Sequence, residues 1–364
     1  MNKDSKIYLA GHTGLVGSAI HRKLDEKGYH NILAATIEQL DLTDQSKISV
    51  FFAREKPEYV FLAAAKVGGI IANNTYRAEF IYENLQIQNN VIHYSYLSGV
   101  KKLLFLGSTC IYPKECPQPI REDYLLTEPL EYSNEPYAIA KIAGIKTCES
   151  YNLQYGTDFI SVMPTNVYGY RDNFHLERSH VLPAIIRKVH LSKCLEEKNI
   201  EAIRQDLRKY PVEGLSASAT EGDIIKTLEK YGIFRNNNYQ QPSVRLVLWG
   251  TGQPKREFIW SDDLADALVY IMEKVCFRDL VTNNVEIRNT HINIGTGEEI
   301  SIKGLAELVK KTIGFKGSIE FDSSKPDGTP RKLTDVSKLH GLGWKHQTSL
   351  NYGIAKIYKW YISN

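Results

Sequence analysis

Short apolar runs recur along the first half of the chain, and stretches with helical spacing separate them. The runs at 6–10, 31–35, 57–65, 102–106 and 158–163 are nearly continuous in hydrophobic residues. Such runs suit strands buried on both faces of a sheet, because each face must meet apolar neighbours. Between them, 18–24, 45–56, 84–98 and 136–155 carry apolar residues at three- and four-residue intervals and read as helices. Pro136 suits a first helical turn, since its missing N–H would have no intrahelical partner there. Strand and helix alternate from residue 6 to residue 163, which predicts an α/β, Rossmann-type doubly wound parallel sheet.

After Gly169 the alternation breaks. A polar loop carrying Asp172, His175, Arg178 and His180 precedes a helix at 181–191. Residues 192–242 are charged with balanced signs, and two helical patterns, 195–209 and 221–231, flank a Gly/Ser-rich link. The segment reads as a surface insertion packed on itself, with a lid or an interface element as the functional alternatives. Its end, 236–241, reads as loop. A strand at 243–249, a helix from Asp262 and Asp263 to 274, a strand at 291–295 and a helix from Ser301 follow. The basic, turn-rich loop 325–332 is either a phosphate grip or a surface turn. The expected organisation is a dinucleotide-binding domain over 1–170 with a return segment near 244–275. A smaller C-terminal α/β substrate-binding domain covers 171–364 and includes the insertion 192–242.

Bulk properties narrow the function. A length of 364 residues suits two domains, and 43% hydrophobic with 24% charged residues is ordinary globular composition. A formal charge of +3 without a long basic run argues against a nucleic-acid partner. Cys110, Cys116, Cys148, Cys194 and Cys276 lack both metal spacing and a disulfide framework. No metal is expected, and the cysteine usage fits a reducing compartment. No signal peptide and no membrane span are legible, so no membrane partner and a cytoplasmic location are expected.

Two motifs carry chemistry. Gly11-His12-Thr13-Gly14-Leu15-Val16-Gly17 lies between a strand and a helix. Glycines there let the backbone approach a pyrophosphate, and the helix N-terminus aims N–H groups at it. Asp41 either sits beside an adenine ring or caps the next helix. Tyr137 and Lys141, four apart, share a helical face. An ammonium beside a phenol is expected to lower the phenol's pKa from about 10 and fit it for proton transfer. Alone, the pair is equally a half-buried tyrosine on an amphipathic helix. Ser108 and Cys110 follow the 102–106 strand and would be delivered to its carboxyl end, where α/β sheets bind ligands.

Together these features resemble the extended short-chain dehydrogenase/reductase family over nearly the whole chain except 192–242. The most specific stretches are Ala63–Ile70, Leu104–Pro113, Asn134–Gly144, Met163–Gly169 and Ser324–Lys332. The resemblance implies a branch that performs 3,5-epimerisation and 4-reduction of GDP-4-keto-6-deoxy-D-mannose to GDP-L-fucose. It implies Ser108, Tyr137 and Lys141 as the catalytic triad, with Cys110 and His180 serving the epimerisations. It implies NADP(H) as coenzyme, held by Gly11, His12, Thr13, Gly14, Leu15, Val16, Gly17, Asp41, Leu42, Ala63, Ala64, Leu106, Gly107, Lys141, Pro164, Thr165, Asn166, Val167 and His180. It implies a GDP-sugar substrate held by Asn166, Lys188, Trp249, Arg256, Asp327 and Lys332, and a homodimer through the helices 84–98 and 137–155. Thr109-Cys110 departs from the sugar 4,6-dehydratases, which place an Asp-Glu pair there. Thr13, Ala35 and Ile37 depart from the arginines that relatives offer to a 2′-phosphate. The competing readings are a C4-reductase for another GDP-4-keto-deoxy sugar, hexose or heptose, and a non-catalytic nucleotide-binding module.

Overall fold

The computed structural model describes all residues except 213–214, 216–218, 237–242 and 282–284, and the side chains of Ile70 and Ile71. The Gly/Ser-rich link and most of the 236–241 loop expected from the sequence fall outside the described residues. In chain order the first elements are β1 (Ile7–Ala10), α1 (Leu15–Glu26), β2 (Ile32–Leu33), α2 (Gln45–Glu55) and β3 (Tyr59–Leu62). Then come α3 (Ile70–Thr75), α4 (Arg77–Leu97), β4 (Lys102–Leu106), α5 (Glu135–Tyr155), β5 (Phe159–Pro164) and β6 (Asn166–Tyr168). The second half holds α6 (Val181–Glu196), α7 (Ile200–Lys209), α8 (Glu221–Lys230), β7 (Ile233–Arg235), β8 (Val244–Trp249), β9 (Lys255–Trp260) and α9 (Ser261–Lys274). It ends with β10 (Ile292–Ile294), β11 (Glu299–Ser301), α10 (Ile302–Ile313), β12 (Ser318–Asp322), β13 (Arg331–Lys332), α11 (Ser337–Gly341) and α12 (Leu350–Ser363).

The chain divides into two compact units. The first comprises Met1–Arg171, Glu257–Glu298 and Lys332–Thr348; residues 244–256 group with the second unit. The first unit is built on a six-stranded sheet in the order β10-β5-β4-β3-β1-β2, every pair parallel. Alternation along each strand feeds two cores. Ile7, Leu9, Leu104 and Leu106 point to the face covered by α9, while Tyr8, Ala10, Leu103 and Phe105 point to the other, with Ile48, Phe52, Val91 and Ile145. Burial on both faces explains the continuous apolar runs. Two strands are shorter than expected. β2 stops at Leu33 and β3 at Leu62, because the chain leaves the ladder there and turns along the sheet's carboxyl edge. Helix α4 starts at Arg77, well before the expected 84, because Arg77–Leu97 closes a continuous helical ladder whose face buries Phe80, Asn84, Gln88 and Val91.

The second unit, Asp172–Arg256, Glu299–Arg331 and Ser349–Asn364, has its own three-stranded sheet, β12-β8-β7. The charged segment does not merely pack on itself. Its strand β7 pairs antiparallel with β8, and Ile203, Leu207, Ile224, Leu228 and Ile233 are buried. Arg187 of α6 forks onto Asp206 of α7 at 2.9 and 2.7 Å, and donates to the carbonyls of Tyr210 and Phe174. Tyr361 of α12 donates to the same carboxylate. Both charges are buried, so each needs the other, and this pair locks α7 to α6.

Candidate active site

Three elements of the first unit meet at the sheet's carboxyl edge. Gly11 follows β1 with φ +86°, and a Cβ there would lie 2.7 Å from the backbone nitrogen of Ala64. Only glycine permits that approach of the first turn to Ala63 and Ala64. Gly14 precedes α1 without a side-chain cap, and Leu15, Val16 and Gly17 form its first turn, so N–H groups face outward. His12 Nδ1 is buried without a partner. A backbone cradle, open helix donors and a spare imidazole nitrogen fit the pyrophosphate of a dinucleotide. Thr13 stands exposed at its rim. Asp41 does not cap α2; its carboxylate accepts from Thr43 N and Oγ1 at 2.9 and 2.7 Å. Asp44 is the cap, accepting from Ser46 N and Lys47 N. Leu42 packs against the core beside them. Gly107 N bonds Val162 O, and Thr165 N bonds Ile294 O, which sets Pro164 and Thr165 along the same edge. Asn166 and Val167 lie in β6, and the Asn166 amide donates to the Glu257 carbonyl at 2.8 Å.

The catalytic candidates lie at the end of β4. Ser108 begins a one-turn 3-10 helix, Thr109–Ile111, and its hydroxyl accepts from Cys110 N at 3.4 Å. Cys110 is buried. Tyr137 and Lys141 rise from α5 on one face. Helix α5 sits close to the sheet because Gly144 has no side chain: a Cβ would lie 2.4 Å from the Phe105 ring. Gln88 of α4 donates to Ala140 O at 2.6 Å and fixes the same turn. Lys141 Nζ donates to Leu106 O at 2.9 Å and lies 5.7 Å from the Tyr137 ring centroid. The Tyr137 ring meets Phe80 edge-on, centroids 6.4 Å apart.

Protonation differs from the sequence expectation. Burial pushes the Tyr137 phenol well above its ordinary value. Burial pulls Lys141 down to about 8, against a smaller raising effect of Cys110. Loss of hydration disfavours the charged form of each group, which raises the phenol and lowers the ammonium. Tyr137 therefore holds its proton at neutral pH. Burial also raises the Cys110 thiol, while Ser108, Lys332 and Lys141 oppose that rise. Cys110 is thus a thiol in the resting protein.

In the second unit, His180 precedes α6 with an accessible side chain, yet surrounding protein lowers its pKa and favours the neutral imidazole. Lys188, also on α6, is half-buried and brought down to about 8 by burial. Trp249, Arg256 and Asp327 come together. Asp327 accepts from Thr251 N and Oγ1 at 2.9 and 2.6 Å, and its charge opposes the lowering of Arg256 by burial. Trp249 is 67% exposed, with Lys325 Nζ 5.8 Å from its ring. An exposed indole with a lysine over its face suits a nucleobase beside a diphosphate.

Sequence reasoning missed Glu257. It is fully buried, and its carboxylate accepts from Thr296 N, Gly297 N, Thr334 N and Thr334 Oγ1 at 2.6 to 2.9 Å. It ties the turn after β10 to the strand segment carrying Lys332, whose charge bears on Cys110. An acid followed directly by the apolar run 258–260 was the available signal.

The chain is similar to known proteins over nearly its whole length. The NAD dependent epimerase/dehydratase family matches residues 7–207 and 229–295. GDP-L-fucose synthase 1 of Arabidopsis thaliana is 50% identical over 363 residues, covering 100% of this chain and 95% of that relative. A solved GDP-6-OMe-4-keto-L-xylo-heptose reductase of C. jejuni is 46% identical with TM-score 0.90, covering 99% of this chain and 98% of that one. The GDP-mannoheptose C4 reductase of Campylobacter jejuni, solved with NADP bound, is 45% identical with TM-score 0.86 and 99% coverage of both chains.

Proposed function

The chain belongs to the NAD dependent epimerase/dehydratase family, in its GDP-L-fucose synthase-like branch, and we infer that it converts GDP-4-keto-6-deoxy-D-mannose to GDP-L-fucose. It is an NADP-dependent epimerase and reductase. When bound, NADPH supplies a hydride to C4 of the sugar. Tyr137, which keeps its proton until a stronger base appears, gives it to O4 as that oxygen becomes an alkoxide. Ser108 hydrogen-bonds the same oxygen. Lys141 holds positive charge beside the phenol and, by the family pattern, the nicotinamide ribose. Before reduction the same donors stabilise an enolate, which acidifies C3 and C5. Cys110 and His180 exchange the protons on opposite faces of those carbons. Lys188, Trp249, Arg256, Asp327, Asn166 and Lys332 hold the GDP-sugar.

The observation that carries this reading is geometric: Lys141 Nζ lies 5.7 Å from the Tyr137 ring and donates at 2.9 Å to the carbonyl of Leu106, just before Ser108, whose hydroxyl accepts from Cys110 N. The phenol–ammonium pair and the turn bearing the thiol thus stand at one strand end, which supports a shared site for proton exchange and reduction. The test is NMR of the sugar in D2O with and without NADPH. Deuterium should enter C3 and C5, and GDP-L-fucose should form only with NADPH. Cys110→Ser should lose the exchange and keep part of the reduction.

A second reading, a C4-reductase for another GDP-4-keto-deoxy sugar, is favoured by the heptose reductases at 45–46% identity. It replaces the first if the wild type incorporates no deuterium. We also propose a homodimer through α4 and α5, which expose Leu97, Leu153 and Tyr155. Among the described residues no helix is long and apolar enough to cross a membrane; a cytoplasmic location is proposed from the cysteine usage.

A further inference from the structure

The turn that carries Ser108 and Cys110 is held at both ends, by different means. Upstream it leaves β4, which is paired with β3 and β5, and Gly107 N continues that ladder to Val162 O at 2.8 Å. Within the turn the hydrogen bonds are long. Cys110 N reaches Ser108 Oγ at 3.4 Å, Ile111 N reaches Ser108 O at 3.3 Å and Tyr112 N reaches Thr109 O at 3.4 Å. Bonds of that length fix three residues weakly. The downstream end is held by a side chain. Tyr112 is buried; its hydroxyl donates to Asn293 Oδ1 of β10 at 2.5 Å and lies 3.0 Å from His291 Nε2.

The protons along this chain of bonds have one consistent arrangement. Asn293 Nδ2 donates to Ile120 O at 2.9 Å and to Asp335 O at 3.4 Å, so the atom facing Tyr112 is the carbonyl oxygen, and it takes the single phenol proton. His291 Nε2–H then donates to the Tyr112 oxygen, and Nδ1, without a partner among the described residues, keeps a lone pair. Burial pulls the His291 imidazole well below its usual range, which agrees with a neutral ring. Asn293 N donates to Glu122 Oε1 at 3.0 Å, which fixes the asparagine itself. Asn293 and His291 are fully buried, and the protons that join them to Tyr112 are committed to one another. The set orients the turn rather than reacting. Asn293 also reaches a second segment of interest. Ile120 N donates to Leu333 O at 2.7 Å and Asp335 N to Ile120 O at 2.8 Å, so the same amide braces the strand that follows Lys332.

We infer that Tyr112, locked by Asn293 and His291, is the positioning residue that sets the place of the Cys110 thiol for proton exchange at C3 and C5. The inference rests on the epimerase reading above and names what holds the thiol. The sheet fixes Ser108 from upstream, whereas Cys110 is the middle residue of the 3-10 turn and depends on the anchor downstream. With the hydroxyl gone, the turn can shift while β4 and α5 keep their places. Misplacing a reacting group by about 1 Å costs up to about a hundredfold in rate.

The test is the rate of deuterium entry at C3 and C5 of GDP-4-keto-6-deoxy-D-mannose in D2O, read by NMR on the full-length protein. Rates are taken per coenzyme-binding site, with sites counted by fluorescence titration of NADPH, so a loss of folded protein does not move them. Tyr112→Phe keeps the ring and removes only the hydroxyl. It should lower kcat for exchange by about tenfold or more and keep KM for the GDP-sugar within about threefold. Asn293→Ala leaves Tyr112 in place but frees both the turn and the strand after Lys332, so it should lower kcat for exchange and raise KM as well. A wild-type kcat per site in either variant, or a Tyr112→Phe effect confined to KM, overturns the inference while leaving the epimerase reading intact. No exchange in the wild type overturns that reading and the inference with it.

Discussion

The two ends of strand β4 each hold a buried lysine, and they are furnished in opposite ways. At the amino end, Lys102 Nζ donates to the carbonyls of Ile271, Met272 and Val275, with Asp158 at 3.7 Å. All three of its protons are used, and they close the C-terminus of α9, where carbonyls lack helical partners. At the carboxyl end, Lys141 is as deeply buried but, among the described residues, donates only to Leu106 O. Its other neighbours are the Phe105 ring at 4.8 Å and the Tyr137 ring. Both lysines lose hydration, and both have lowered pKa values for that reason. The difference is what remains unsatisfied. A lysine with every donor engaged is a structural bolt. One with donors to spare, beside a phenol and a thiol, is held ready for another molecule.

That contrast can be broken most sharply at the phenol. Tyr137→Phe should lower kcat for coenzyme oxidation by about a thousandfold, since loss of a positioned proton donor costs about 10²–10⁴. Unchanged turnover would remove the carboxyl end from the chemistry.

Next, Lys141→Met should cost about a hundredfold in kcat and should change the pH dependence of stability. The folded pKa of Lys141, about 8, lies below its ordinary 10.5. The unfolded chain therefore binds more protons between those values, and stability rises with pH there. The cost of burying the charge is full below pH 8 and is relieved by pH 10.5. Urea unfolding should show the wild type gaining on Lys141→Met across that window. A constant difference would mean the lysine is not desolvated.

The smallest catalytic effect belongs to the amino end. Lys102→Met should leave kcat within about twofold, yet lower stability by about 2 kcal/mol, because buried carbonyls lose their donors. A large loss of kcat without a loss of stability would erase the distinction between the two ends.

Much of this was legible beforehand. The strands 102–106 and 158–163 and the helix from Pro136 were set by local spacing, and so was the sharing of one helical face by Tyr137 and Lys141. Glu257 was not legible, because its donors come from Thr296, Gly297 and Thr334, up to 77 residues away. The strand β7 within the charged segment was missed as well, since Ile233–Arg235 is too short to show an alternating pattern and gains its ladder only from pairing with β8.

The order of strands and helices, the glycine turn and the identity of the reactive side chains are properties of near neighbours in the chain, and the amino-acid sequence determined them alone. The charge each reactive group carries was decided only by tertiary structure. A tyrosine four residues from a lysine looks acidified on paper. In the folded protein it keeps its proton, because burial takes the phenolate's charge out of water. Desolvation depends on everything packed around a group, and that is assembled from the whole chain.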